Sequence, residues 1–213
     1  MLLISVIAIT AVISYIGFNN REVFGKYMFE VGAVRQRREY FRMLSAGFLH
    51  ADLIHLLFNM LTLYFFGDLV IYFFGNFGFL LIYIGAIIAG NIFSLFIYQN
   101  NSTYSAIGAS GGVSGILFAA IAINPHIGIG FLFIPIPIPG YIFGVIYFSY
   151  SVYMMLNPKQ WDNLGHAAHI GGAILGLLYA FVSYPSISID NIFQISIMSL
   201  PLLYLGYRLI AKK

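Results

Sequence analysis

The sequence predicts an all-α polytopic membrane protein, with six spanning helices in one bundle and a seventh helix at its C-terminal end. Three observations predict it. Of 213 residues, 61% are hydrophobic and only 8% are charged, where a soluble domain carries roughly a quarter charged. The apolar residues gather in runs close to the roughly 20 needed to cross a hydrocarbon core. No cysteine is present, so no disulfide framework, thiol nucleophile or thiolate metal site is available. The net charge of +3 is unevenly placed: of ten Lys and Arg, Arg21, Lys26, Arg35, Arg37, Arg38 and Arg42 lie within residues 20–48, and Arg208, Lys212 and Lys213 at the tail. Bases beside spans sit at lipid headgroups and bias topology. Membrane lipids are therefore the expected contact, and a nucleic-acid surface is not.

The elements follow in order. Residues 2–18 form an apolar run with no basic segment before it, so they read as a span rather than a cleaved leader. Residues 19–49 are a long polar-aromatic loop with Glu22, Glu30 and Glu39 among its bases. It is too polar to span and too apolar for free solvent, and is expected at the interface. Further spans are read at about 51–74, 77–98, 108–124, 138–156 and 165–184. Prolines in "NPHIGIGFLFIPIPIPG" (124–140) make that segment irregular or extended. "NPKQWDN" (157–163) is a short polar loop. The segment 190–213 is long enough to span, although Gln194, two serines and Pro201 weaken it; it reads as a helix at about 191–210, with an interfacial helix as the alternative. The chain reads as one membrane domain over 1–213, with its core in 1–185.

Polar groups inside spans are expensive and usually functional. Here they are few: His50, Asp52, His55 and Asn59 in and before the second span, Ser110 and Ser114 in the fourth, His166 and His169 in the sixth. Alternating spans start the second, fourth and sixth at the same membrane face. At 1.5 Å per residue, His55, Ser110 and His169 then lie within roughly 8 Å of that face. His55 and Asn59, four apart, share one side of their helix; His50 lies at its mouth.

Three readings compete. A metal site would use His50, His55, His166 and His169, but no His-Glu-x-x-His occurs and only Asp52 offers a nearby carboxylate; no metal or cofactor is expected. A structural reading makes the polar groups interhelical glue and treats Gly108/Gly112 and Gly172/Gly176 as packing pairs. The third is a serine activated by histidine, since an alcohol needs a base within hydrogen-bond reach. Its intermediate needs donors aimed at the oxyanion. Ser110, His169, His55 and Asn59 could fill those roles, aided by the free N–H groups of a helix start.

At these residues the chain resembles the rhomboid family of intramembrane serine proteases, over roughly residues 1–185. "GASG" (108–111) matches the Gly-x-Ser-Gly motif, with Gly108 and Gly111 flanking Ser110 as the implied nucleophile. "AHIGGAILG" (168–176) matches Ala-His-x-x-Gly-x-x-x-Gly, which implies His169 as the base and close packing at Gly172 and Gly176. "HADLIHLLFN" (50–59) matches His-x4-His-x3-Asn, which implies His55 and Asn59 as oxyanion donors and His50 as a structural partner. "EYFRML" (39–44) resembles the first-loop motif through Glu39 and Arg42, with Phe41 where Trp is usual. The expected Arg42 is anchored by backbone carbonyls or by Glu39.

The resemblance implies hydrolysis of peptide bonds in or near transmembrane helices of client proteins. The alternative is a non-catalytic relative that binds such clients. Two departures stand out. Ser114 replaces the Tyr or Phe that many members stack on the base, so either His169 is held less firmly or another aromatic covers it. His166 lies outside the motif, one turn before His169, and reads as a mouth residue, with a role as base the second choice. The clustered bases on the site face would place that face in the cytoplasm; the resemblance implies the opposite, and the reading follows it to a multi-pass protein of the cell membrane with an extracytoplasmic site.

Overall fold

The structure, a computed structural model, describes residues 1–131, 134–159, 162 and 164–211. Trp161 of the polar loop and the tail bases Lys212 and Lys213 lie outside the described residues. Helix α1 (Leu2–Asn19) is largely apolar, carries no charged residue and stops at Asn20. The Asn20 carboxamide oxygen accepts from the N–H groups of Glu22 and Val23, both at 3.0 Å, and starts α2 (Arg21–Tyr27). The first loop is then not a plain loop. It holds a short strand β1 (Phe29–Glu30), α3 (Val31–Arg37), α4 (Arg42–Ser45) and a 3-10 turn, Ala46–Phe48. Phe29, Val31, Val34 and Ala46 give it a small core of its own.

The second and third spans run on from one another as α5 (Leu53–Ile97), two helical stretches that meet at Gly75, in line with the expected spans at about 51–74 and 77–98. A straight helix of its 45 residues would be about 68 Å long, over twice the hydrocarbon core. It folds back at Gly75, whose φ of +69° and ψ of 174° lie outside the helical region. Glycine is the residue that reaches such a φ without a Cβ penalty. The return is visible at the other end, where Gly47 packs on Ile87 and Asn91 donates to the Met43 carbonyl at 2.8 Å.

Strand β2 (Ser105–Ala106) pairs antiparallel with β1, Phe29 opposite Ala106. It leads into α6 (Ser110–Ile123), in which every residue from Gly111 to Ile123 is buried. A helix apolar on all sides belongs in the centre of a bundle. At 14 residues it is about 21 Å long, about 9 Å less than the hydrocarbon core is thick. Asn124–Pro125 ends it. The proline-rich segment forms an antiparallel hairpin, β3 (Gly128–Phe131) with β4 (Ile134–Pro139), and so is extended. Helix α7 (Gly140–Leu156) follows, then α8 (His166–Ser183), the short α9 (Pro185–Asp190) and α10 (Ile192–Ala211). Helix α10 is the seventh helix; it packs along α7, with Met198 filling the space above Gly144. The Asn191 amide between α9 and α10 donates to the carbonyls of Ala122 and Ile123, at 3.0 and 3.1 Å. Among the described residues four helices are long and apolar enough to cross a membrane: α1, α5, α8 and α10.

Helices α6 and α8 meet backbone to backbone. A methyl group on Gly172 would overlap the Gly111 carbonyl, and one on Gly176 the Gly115 carbonyl. The pair that faces Gly172/Gly176 is thus Gly111/Gly115. Gly112 instead faces Tyr83 and Ile87 of α5, and Gly108 precedes the helix.

Gly176→Ala should therefore force α6 and α8 apart and cost about 1–3 kcal/mol, the usual range for overpacking. Gly206→Ala, where an added methyl meets nothing within 4 Å, should cost nothing. Melting in detergent, followed by circular dichroism, checks both; equal midpoints would show that the two backbones have room to part.

Candidate active site

Ser110 is the first residue of α6 and His169 lies in the first turn of α8. The glycine contact below them holds the two helix starts together. The Ser110 hydroxyl reaches His169 Nε2 at 2.7 Å. Among the described residues no carboxylate is hydrogen-bonded to the His169 ring, so the arrangement is a pair rather than a triad. As α6 begins here, the N–H groups of Ser110, Gly111 and Gly112 have no acceptor within the helix. Ala109 N–H is taken by His50 Nε2 at 3.3 Å.

His55 stands opposite. Helix α5 starts at Asp52, whose carboxylate accepts the His55 N–H at 2.8 Å. The Ala51 N–H donates to His55 Nδ1 at 3.4 Å. A nitrogen that accepts carries no proton, so the neutral ring bears its hydrogen on Nε2. That nitrogen faces the space over Gly108: a Cβ there would lie 2.8 Å from His55 Nε2 and 3.6 Å from Ser110 Oγ. Gly108 has φ of +116°, so both its conformation and its lack of a side chain keep this space open. Asn59 lies one turn deeper on the same side. Its amide donates to the His55 carbonyl at 2.9 Å, which leaves one N–H for another acceptor. The structure thus brings Ser110, His169, His55 and Gly108 together directly, and Asn59 through His55.

His50 is fully buried. It accepts from Ala109 through Nε2, so Nδ1 carries the proton and donates to Ser14 Oγ at 2.8 Å. Ser14 then donates its own proton to the Phe48 carbonyl at 2.9 Å. One imidazole therefore ties α1, the 3-10 turn and the residue before Ser110. Burial, followed by the nearby His55, pushes its pKa down to about 3, against a smaller opposing effect of Asp52.

Glu39 and Arg42 lie in the first loop. Arg42 is buried; it donates to the carbonyls of Gly25 and Met28, each at 2.7 Å, and to Glu39 at 2.5 Å. Arg42, then Arg37, holds the Glu39 carboxyl below its ordinary range. Both residues brace the loop. Gly172 and Gly176 serve the helix crossing and do not border the open space.

His166, read as a mouth residue, is the first residue of α8. It is 5% exposed, and its Nε2 meets the Asp162 carboxylate at 2.6 Å. Its ring lies 6.0 Å from that of His169. Asp162 was legible only as a loop acid four residues ahead of His166. Two further residues escaped the sequence. Ser14 looks like any small polar residue in a span. Tyr147 of α7 lies against His169, with ring centroids 6.1 Å apart and planes at 28°; the missing aromatic at position 114 was its only signal. No three His, Asp or Glu side chains gather as a metal site among the described residues.

Comparison with known proteins matches the rhomboid domain to residues 37–186, more than half of the chain. The chain is 32% identical over 143 residues to "Rhomboid protein 1, mitochondrial" of Saccharomyces cerevisiae, covering 65% of this chain and 40% of that protein. It is 31% identical over 172 residues to "Rhomboid protease GluP" of Bacillus subtilis, covering 77% of this chain and 30% of the relative. With "RHOMBOID-like protein 12, mitochondrial" of Arabidopsis thaliana it shares 25% over 179 residues, 76% of this chain and 51% of the relative. The chain thus spans about half or less of the length of these relatives.

The depressed His50 pKa makes stability depend on pH. Below pH 6.5 the unfolded imidazole takes up a proton that the folded one refuses, so stability held at pH 7 is lost as pH falls toward 3. At pH 5 the loss is about 2 kcal/mol, from 1.36 kcal/mol per pK unit. His50→Gln should be weaker at pH 7, and its stability should fall less between pH 7 and 5 than that of the wild type. Denaturant titration in mixed micelles measures the two slopes; identical slopes would remove His50 from the account.

Proposed function

Because the chain belongs to the rhomboid family, we propose that it is an intramembrane serine endopeptidase acting through Ser110 and His169. The observation that carries this reading is the 2.7 Å contact from Ser110 Oγ to His169 Nε2 at a shared helix-start level. In the proposed reaction His169 Nε2 takes the hydroxyl proton while Oγ attacks the scissile carbonyl carbon. The carbonyl oxygen gains the negative charge. His55 Nε2–H, the free Asn59 N–H and the Ser110 backbone N–H are the donors that offset it. Collapse of this intermediate expels the amine, protonated by His169, and leaves an ester on Ser110. Water, deprotonated by the same imidazole, then releases the acid. No cofactor enters either half.

The client class comes from the family resemblance: peptide bonds in or near a transmembrane helix. The short α6 supports it, since its first residue, Ser110, would sit below the membrane surface yet within reach of water. The proposed unit is a single membrane domain, with the site face away from the cytoplasm. Four apolar helices indicate a membrane. Kinship does not select which one, as relatives are named mitochondrial and others bacterial.

A fluorophosphonate probe tests the reading against a family member that binds clients without cutting. The wild type should label, while Ser110→Ala and His169→Ala should not, and the double variant should be no worse than either, since base and nucleophile act as a unit. His55→Ala or Asn59→Ala should lower kcat for a transmembrane peptide by about 10²–10³ with the fold intact. A folded wild type that never labels would leave the binding reading in place.

A further inference from the structure

We propose that Tyr147 is the positioning residue that fixes the His169 ring, so that the Ser110–His169 pair registers where α7 lies. The inference rests on the proteolytic reading of that pair. It begins with what holds the imidazole. Its Nε2 meets Ser110, but among the described residues no acceptor binds its other nitrogen, so hydrogen bonds alone leave the ring free to pivot about that contact. The flat face of Tyr147 lies along the ring at 6.1 Å and 28°. Phe118 of the central helix α6 also packs on the tyrosine ring, with centroids 5.2 Å apart. The phenol ring is therefore in contact with both α6 and the imidazole.

The tyrosine hydroxyl fixes the other end. It lies 2.6 Å from Ser114 Oγ, and Ser114 Oγ lies 2.7 Å from the Ser110 carbonyl. Ser114 has one proton, and a carbonyl can only accept. Ser114 therefore donates to Ser110, and Tyr147 must donate to Ser114. The chain of bonds runs one way, from α7 through Ser114 to the backbone of the nucleophile. One side chain thus touches the base with its face and the nucleophile's own turn with its hydroxyl. A small residue at 114 is what makes room for it.

The helix carrying Tyr147 is the consequential part. One turn before it, Gly144 receives Met198 of α10, so α10 backs the segment that carries the tyrosine. A shift of α7 would draw the stacking face off His169 and break the bond to Ser114 together. Misplacement of a reacting group by about 1 Å can cost about 10²-fold in rate. The pair is then correctly aligned only while α7 is seated.

The test measures kcat and KM for a transmembrane peptide, with Ser110 labelling and thermal melting in parallel. Tyr147→Ala should lower kcat about 10- to 100-fold with KM within about twofold. Tyr147→Leu, which keeps bulk without a ring face, should match it and guards against a folding defect. Tyr147→Phe, which keeps the face and loses the bond, should lose only a few-fold. Ser114→Tyr combined with Tyr147→Ala supplies the ring from α6 instead, and should recover most of the loss. Folded Tyr147→Ala and Tyr147→Leu proteins with wild-type kcat, or a double variant no better than Tyr147→Ala alone, would overturn the role of Tyr147 while Ser110 still labels. A wild type that does not label would overturn the proteolytic reading and this one with it.

Discussion

The backbone contact between α6 and α8 is the constraint on which the site depends. A serine side chain is short, and an imidazole reaches only a little further. For them to meet at 2.7 Å, the helices must approach more closely than any side chain at the crossing would allow. Gly111, Gly115, Gly172 and Gly176 provide that approach. In hydrocarbon there is little hydrophobic gain from joining two apolar helices, so the attraction comes from close packing over this glycine surface. The same glycines cannot fix rotation or depth. Those come from the surroundings: α5 against Gly112, His50 under Ala109, and the paired strands β1 and β2, which anchor the segment entering α6 to the first loop.

The first loop is therefore more than a cover. Arg42 brings its charge inside and spreads it over two carbonyls and Glu39. A buried charge without such partners would cost several kcal/mol. Once satisfied, it fixes Gly25, Met28 and Glu39 relative to one another, and β1 follows directly after Met28. Order in the loop is thus transmitted to residues 105–109 by strand pairing, and to Ala109 by His50. Two separate routes converge on the turn before Ser110.

How much of this was legible depended on the kind of signal. The meeting of Ser110 with His169 and His55 followed from counting residues along alternating spans, because depth is set by a fixed rise per residue. Which of the fourth span's glycines meet Gly172 and Gly176 was left open, since a repeat of four recurs on more than one face of a helix. The burial of His166 against Asp162 was not legible, because that partner lies across a helix start, where periodicity carries no information. The fold-back at Gly75 was legible as two spans with only residues 75 and 76 between them, because each apolar run has the length of one crossing. Ser114 gave the most useful hint by being small where an aromatic is usual. It said that something was missing, while only the fold could say that α7 supplies it.

The bonds from Asn191 to Ala122 and Ile123 carry one further consequence. The residue lies beyond the stretch matched by the family comparison, which ends at 186. Yet it closes the far end of the central helix, where two carbonyls would otherwise lack partners. Each such group left bare inside costs about 1–3 kcal/mol. A truncation designed on family boundaries would thus keep every residue of the candidate site and still unseat the column on which that site stands. The matched stretch and the set of residues that satisfies the central helix therefore do not coincide in this chain.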